Sequence, residues 1–129
     1  MHNSIHLIYD ANNRSNLNIS FIDSSKALIS IHKHDDEQCI GWFIDRAIMY
    51  DLVFNIRNLI DYDIDINYGN IQQNAQYQFN ITKTSENLYI AILTEISSQN
   101  TITLSETITK PNLASMLQYI NSQMNDDEN

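Results

Sequence analysis

The period of this chain constrains its fold more than any motif in it. Across most of its length apolar and polar residues alternate, and only two stretches switch to the three-to-four spacing of a helix. Ile5, Leu7 and Tyr9 share one face of a predicted strand over residues 4–9. Leu17, Ile19 and Phe21 do the same over 16–22, and Ala27, Ile29 and Ile31 over 26–34. Turn-forming residues at 10–15 and 23–25 separate these segments. Three strands with short polar connections predict an antiparallel meander.

The first helical stretch follows. Asp45 is a fitting N-cap. Ile48, Leu52, Ile56, Leu59 and Ile60 form a stripe, widened by Met49, Val53 and Phe54, that predicts a helix over 45–60. So broad an apolar face suits deep burial or a homodimer contact. Residues 38–44 fit either a strand end or a lead-in to this helix. At 61–68 the alternation resumes, with Tyr62, Ile64, Ile66 and Tyr68 on one side and Asp61, Asp63, Asp65 and Asn67 on the other. Continuing the helix would put three acids at the unfavourable end of its dipole. A strand is therefore predicted there, ended by Gly69-Asn70.

Strands over 76–83, Leu88–Ile96 and Thr101–Thr109 follow, the middle one nearly continuous in apolar residues and suited to a central position. Pro111 opens a second helix carrying Leu113, Met116, Leu117, Ile120 and Met124. The order βββ-α-β-βββ-α predicts an α+β fold: an antiparallel sheet of about six strands with two helices packed on one face. No Gly/Pro/Ser linker divides the chain, so one domain over 1–129 is expected, with 125–129 as a frayed acidic tail.

Charge narrows the partners. The chain has 129 residues with 16 acids against 7 bases, a net charge of -9. The bases never cluster, so neither direct nucleic-acid binding nor an anionic membrane surface is expected. No apolar run approaches the ~20 residues that span a bilayer. A single cysteine and the lack of a basic leader with an apolar core fit the cytoplasm.

Catalytic signatures are missing. There is no Gly-x-Ser-x-Gly turn and no glycine-rich phosphate loop, and Cys39 beside Trp42 and Phe43 reads as core. The chain is not expected to be an enzyme or to carry a cofactor. His32 and His34 share a strand face near Glu37, with His6 on a neighbouring strand, and are the weak candidates for a metal. They read better as a polar strand end, so no metal is assigned. Asp61-x-Asp63-x-Asp65 opens like a calcium loop, but Ile66 and Gln72 stand where that loop needs Gly and Glu.

The acid row is the strongest candidate for function. On a strand, Asp61, Asp63 and Asp65 would recur every ~6.6–6.8 Å, a spacing comparable with nucleic-acid phosphates. Asp35, Asp36 and Glu37 would extend the row if the fold brought them close. Size, acidity and element order resemble bacterial immunity proteins of contact-dependent and polymorphic toxin systems. That resemblance implies a small inhibitor binding a basic toxin domain, such as a nuclease, in its cationic cleft. The alternative is a dimeric acidic chaperone similar to those of type III effectors.

Overall fold

A computed structural model describes residues 3–10, 15–33 and 37–125, with side chains described for 17–33 and 37–124. The fold is α+β and wholly antiparallel. Among the described residues eight strands form two four-stranded meanders, β1 (Asn3–Asp10), β2 (Ser15–Asp23), β3 (Lys26–Lys33) and β4 (Gln38–Asp45), then β5 (Ile66–Gln72), β6 (Ala75–Ser85), β7 (Leu88–Ile96) and β8 (Thr101–Thr109). Helix α1 (Arg46–Tyr62) links the two sheets and α2 (Lys110–Asn125) closes the chain.

The expected class holds, but one sheet becomes two. Residues 38–45 form a full strand because Ile40, Trp42 and Ile44 are all buried on one face, so β4 completes the first meander. The helices lie against each other and reach strands of both sheets, α1 against β4 and β5, α2 against β1 and β8. Alternation fixes which residues are strands; it does not fix which edges pair. The inner faces of both sheets and the apolar stripes of both helices merge into one hydrophobic cluster.

Helix α1 starts where its cap places it. The Asp45 carboxylate accepts from the Ile48 N–H at 2.9 Å. Met49, Leu52, Val53, Ile56 and Leu59 are buried, whereas Phe54 is exposed. The helix runs on to Tyr62 and ends at Asp63, which adopts the left-handed conformation (φ 58°) and donates its N–H to the Leu59 carbonyl. Aspartate tolerates that conformation better than most residues.

The predicted strand at 61–68 is thereby corrected. Its phase was right for Ile66 and Tyr68, but the ladder begins only at Ile66 and continues through Gly69 and Asn70 to Gln72. Tyr62 and Ile64, read as inward-facing, are exposed.

Trp42 sits where the two sheets meet. It is 1% exposed, and its ring centroid lies 5.8 Å from Tyr68 and 5.4 Å from Phe79. Its indole N–H donates to the Asn70 side-chain carbonyl at 2.9 Å, so the polar edge of the ring is satisfied as well as the apolar body.

Tyr77 and Glu95, opposite each other on β6 and β7, supply a pH-dependent link. The Tyr77 hydroxyl donates to the Glu95 carboxylate at 2.7 Å. Ionising the phenol would break that bond, lose solvation and set two negative charges together, which pushes its pKa from 10.0 up to about 12. A pKa raised on folding contributes stability in full below pH 10, and that contribution is lost as pH rises from 10 through about 12. Tyr77→Phe is therefore expected to flatten the fall in stability across this window, read as denaturant midpoints at stepped alkaline pH.

Candidate functional site

The edges of the two sheets meet at β4 and β5, and a cleft opens at the seam between them. Its stitching is made by side chains. The Gln72 carboxamide donates to the Phe43 carbonyl at 2.6 Å and accepts from the Phe43 N–H at 3.3 Å, standing in for a neighbouring strand on the rim of β4. Together with the Trp42–Asn70 bond this fixes both walls.

Beside the stitches lies a cleft of about 280 Å³ lined by Lys26, Phe43, Ile48, Asn70 and Gln72 with Ser25 and Asp45 at its rim. That is near the small end of ligand pockets, about 300 Å³. The Lys26 ammonium stands 4.7 Å from the centre of the Phe43 ring, a cation–π pair across β3 and β4. A second such pair stands next to it at the start of α1. The Arg46 guanidinium lies 5.4 Å from the Tyr50 ring and donates to the Tyr50 hydroxyl, the Ser24 carbonyl and the Met124 carbonyl. Arg46 is thus held in place by three elements.

Two acids, Asp23 and Asp45, flank these two bases, which makes the cleft locally neutral in a chain of net charge -9. Both carboxylates are tied to backbone donors, Asp23 to the Ser25 N–H at 2.8 Å and Asp45 to that of Ile48. The Ser25 hydroxyl and N–H hold the Asp23 carboxyl below its usual range.

The outward face of the second sheet continues this neutrality. On β6 it presents Gln76, Gln78, Asn80 and Thr82, on β7 Ile90, Ile92 and Thr94, and on β8 Thr101, Thr103, Ser105 and Thr107. Asn67, Gly69 and Ile71 complete it on β5. None of these residues is charged. The described acids instead occupy turns, the ends and flank of α1, and the inward side of β7 and β8.

The acid row expected at 61–65 does not form. Asp61 lies in the last turn of α1, Asp63 is its left-handed cap and Asp65 sits in the link to β5. The Asp63 carboxylate pairs with Lys83 at 3.2 Å, an exposed bridge of small energetic weight. Glu37 occupies a turn with φ 53°, while Asp35, Asp36 and His34 lie outside the described residues, as does the side chain of His6. His32 is described; it stands directly opposite Cys39 across β3 and β4, with its Nε2 3.4 Å from the Cys39 Sγ. Cys39, read as core, is exposed. Residues 126–129 of the expected tail also lie outside the described part.

Lys26, Phe43, Arg46, Tyr50 and Gln72 were not singled out as a site in the sequence. The diagonal contact of Lys26 with Phe43 emerges only once β3 and β4 are in register, and Gln72 reaches Phe43 across 29 positions.

The architecture is a Whirly-like α+β fold. Among solved structures the chain is similar to WHY1 from Arabidopsis thaliana, with 10% identity and a TM-score of 0.62 over 96% of this chain and 82% of that one. WHY3 from the same plant matches at 11% identity and TM-score 0.63, covering 96% and 86%. The plant transcriptional regulator PBF-2 matches at 9% and 0.59, covering 96% and 80%. No family profile and no curated protein sequence matches the chain.

This likeness corrects the resemblance to toxin immunity proteins. With it fall the inhibitor role, its cationic toxin partner and the secretion-chaperone alternative, all of which rested on size, charge and element order. The exclusion of nucleic acid falls too, because the fold is shared with a transcriptional regulator. Net charge describes the whole surface, whereas binding is decided by the charge at one site. No described helix is long and apolar enough to cross a membrane.

Proposed function

We propose that this chain is a non-catalytic binding protein for single-stranded nucleic acid, acting through the seam between its two sheets and within the cytoplasm. The observation that carries this reading is the cleft at β4 and β5, where Phe43 offers a ring for a base and Lys26 a charge for its phosphate. The fold shared with a plant transcriptional regulator supports it. Single strands suit the site better than duplex. Their unstacked bases can enter a cleft of this size and lie on aromatic rings, while a duplex needs rows of bases along its backbone. The start of α1 adds the positive end of its dipole at the same rim. A strand leaving the cleft over β5 crosses the uncharged face of the second sheet, where side-chain amides and hydroxyls meet base edges without repelling phosphates.

With two bases at the site, counterion release is small. The slope of log K against log[salt] for single strands is expected to be about -1.4, from about -0.7 for each neutralised phosphate. Fluorescence anisotropy with a labelled single-stranded oligonucleotide, repeated across salt concentrations and with its duplex, tests this. Saturable binding with preference for the single strand and a shallow slope supports the reading. Absence of saturable binding up to about 100 µM, the weak end of non-specific affinity, removes it.

A further inference from the structure

We infer that Asn70 selects the base that enters the seam, favouring a pyrimidine with two carbonyl oxygens, thymine or uracil, over adenine. Asn70 acts at the same cleft, so this selectivity rests on the seam reading and adds to it the chemistry of the base.

Strand β5 breaks its alternation where it borders the cleft. Ile66 is buried and Tyr68 half-buried, so the next inward positions are 70 and 72. Those two positions hold carboxamides, while Ile71 between them is 77% exposed. Core packing favours the opposite arrangement, with the apolar residue turned in. Both carboxamides instead line the cleft together with Phe43 and Lys26.

What each amide can still offer follows from its partner. An indole N–H only donates. The Asn70 side chain must therefore turn its oxygen to Trp42, at 2.9 Å, and its NH2 group is the part left for a ligand. Gln72 has one N–H and its oxygen committed to the Phe43 backbone. An unconstrained asparagine reads adenine with both ends, its oxygen accepting from N6 and its nitrogen donating to N7. For Asn70 to do so, its oxygen would have to serve the buried indole and the base at once. It can donate to a base carbonyl without that conflict, and thymine and uracil present carbonyls at O2 and O4. The Lys26 ammonium adds a second donor at the same cleft. Asp45, the acceptor at the rim, is engaged by the cap of α1.

Fluorescence anisotropy of the full chain with dT and dA single strands of equal length, for wild type, Asn70→Asp and Asn70→Ala, tests the assignment. The aspartate still accepts from Trp42 but has no NH2 to donate, and its added charge weakens both probes alike. The alanine adds no charge. Emission from Trp42, the sole tryptophan, and far-ultraviolet circular dichroism check that each variant keeps its fold. The wild type is expected to prefer dT, and both variants to reduce that preference about 2–12-fold, the worth of one hydrogen bond. A dT preference left unchanged by both variants would trace it to the flexibility of the dT strand and overturn the assignment. Equal binding of dT and dA by the wild type would overturn it too. In both of those cases the strands still bind, and the seam reading stands. Binding of neither probe removes the selectivity and the seam reading together.

Discussion

Replacing Trp42 with alanine is expected to lower the unfolding free energy by about 3–5 kcal/mol, the range for large aromatic truncations in a packed core. Two losses add. The ring is almost fully buried against Tyr68 and Phe79, so its removal leaves a cavity where the sheets meet. The Asn70 carbonyl then loses its indole donor. Trp42→Phe helps to separate the two, because it keeps a six-membered aromatic ring while removing the N–H and the rest of the indole. Its expected cost is about 1–3 kcal/mol, that of one partner withdrawn from a buried bond plus a smaller void. Urea denaturation with matched slopes measures both. Equal costs for the two variants would show that the bond to Asn70 dominates, and a near-zero cost for either would contradict the packing described.

The second large effect concerns binding at the seam. Phe43→Ala removes the ring under Lys26, and a base stacked on an aromatic side chain is worth about 1–3 kcal/mol, or about 5–150-fold in affinity. The Phe43 backbone bonds to Gln72 do not depend on its side chain, so the clamp on β4 persists. Lys26→Glu is expected to weaken binding at low salt and to take about 0.7 off the magnitude of the salt slope. Anisotropy titrations of both variants on the same single-stranded probe decide the matter. If both bind as the wild type does, nucleic acid is not held at this cleft.

Much of this architecture was legible in the chain. Alternation located Thr101–Thr109, which has one face in the core and one turned outward, and a nearly continuous apolar run located Leu88–Ile96, whose outward Ile90 and Ile92 are half-buried. Asp45 announced the start of α1 through capping chemistry that acts within three residues. The failure at 61–65 has a physical cause. Tyr62 and Ile64 copy the phase of the strand behind them, yet the chain there is still turning, and nothing local reveals that they face solvent. The site was not legible, because its parts belong to β3, β4, α1 and β5 and come together only through tertiary contact. Charge misled for the same reason: a count of acids does not say that they gather at turns and helix ends, leaving a broad sheet face without any.

The stitching at the seam carries one more consequence. No backbone ladder joins β4 to β5; three side-chain bonds, one from Trp42 to Asn70 and two between Gln72 and Phe43, link these edges above the shared core. A continuous sheet would have to unzip to let a guest between its strands. Here two of the three bonds belong to Gln72, so one substitution at that position would remove most of the hydrogen bonding between the edges and leave both ladders and the Trp42–Asn70 bond in place.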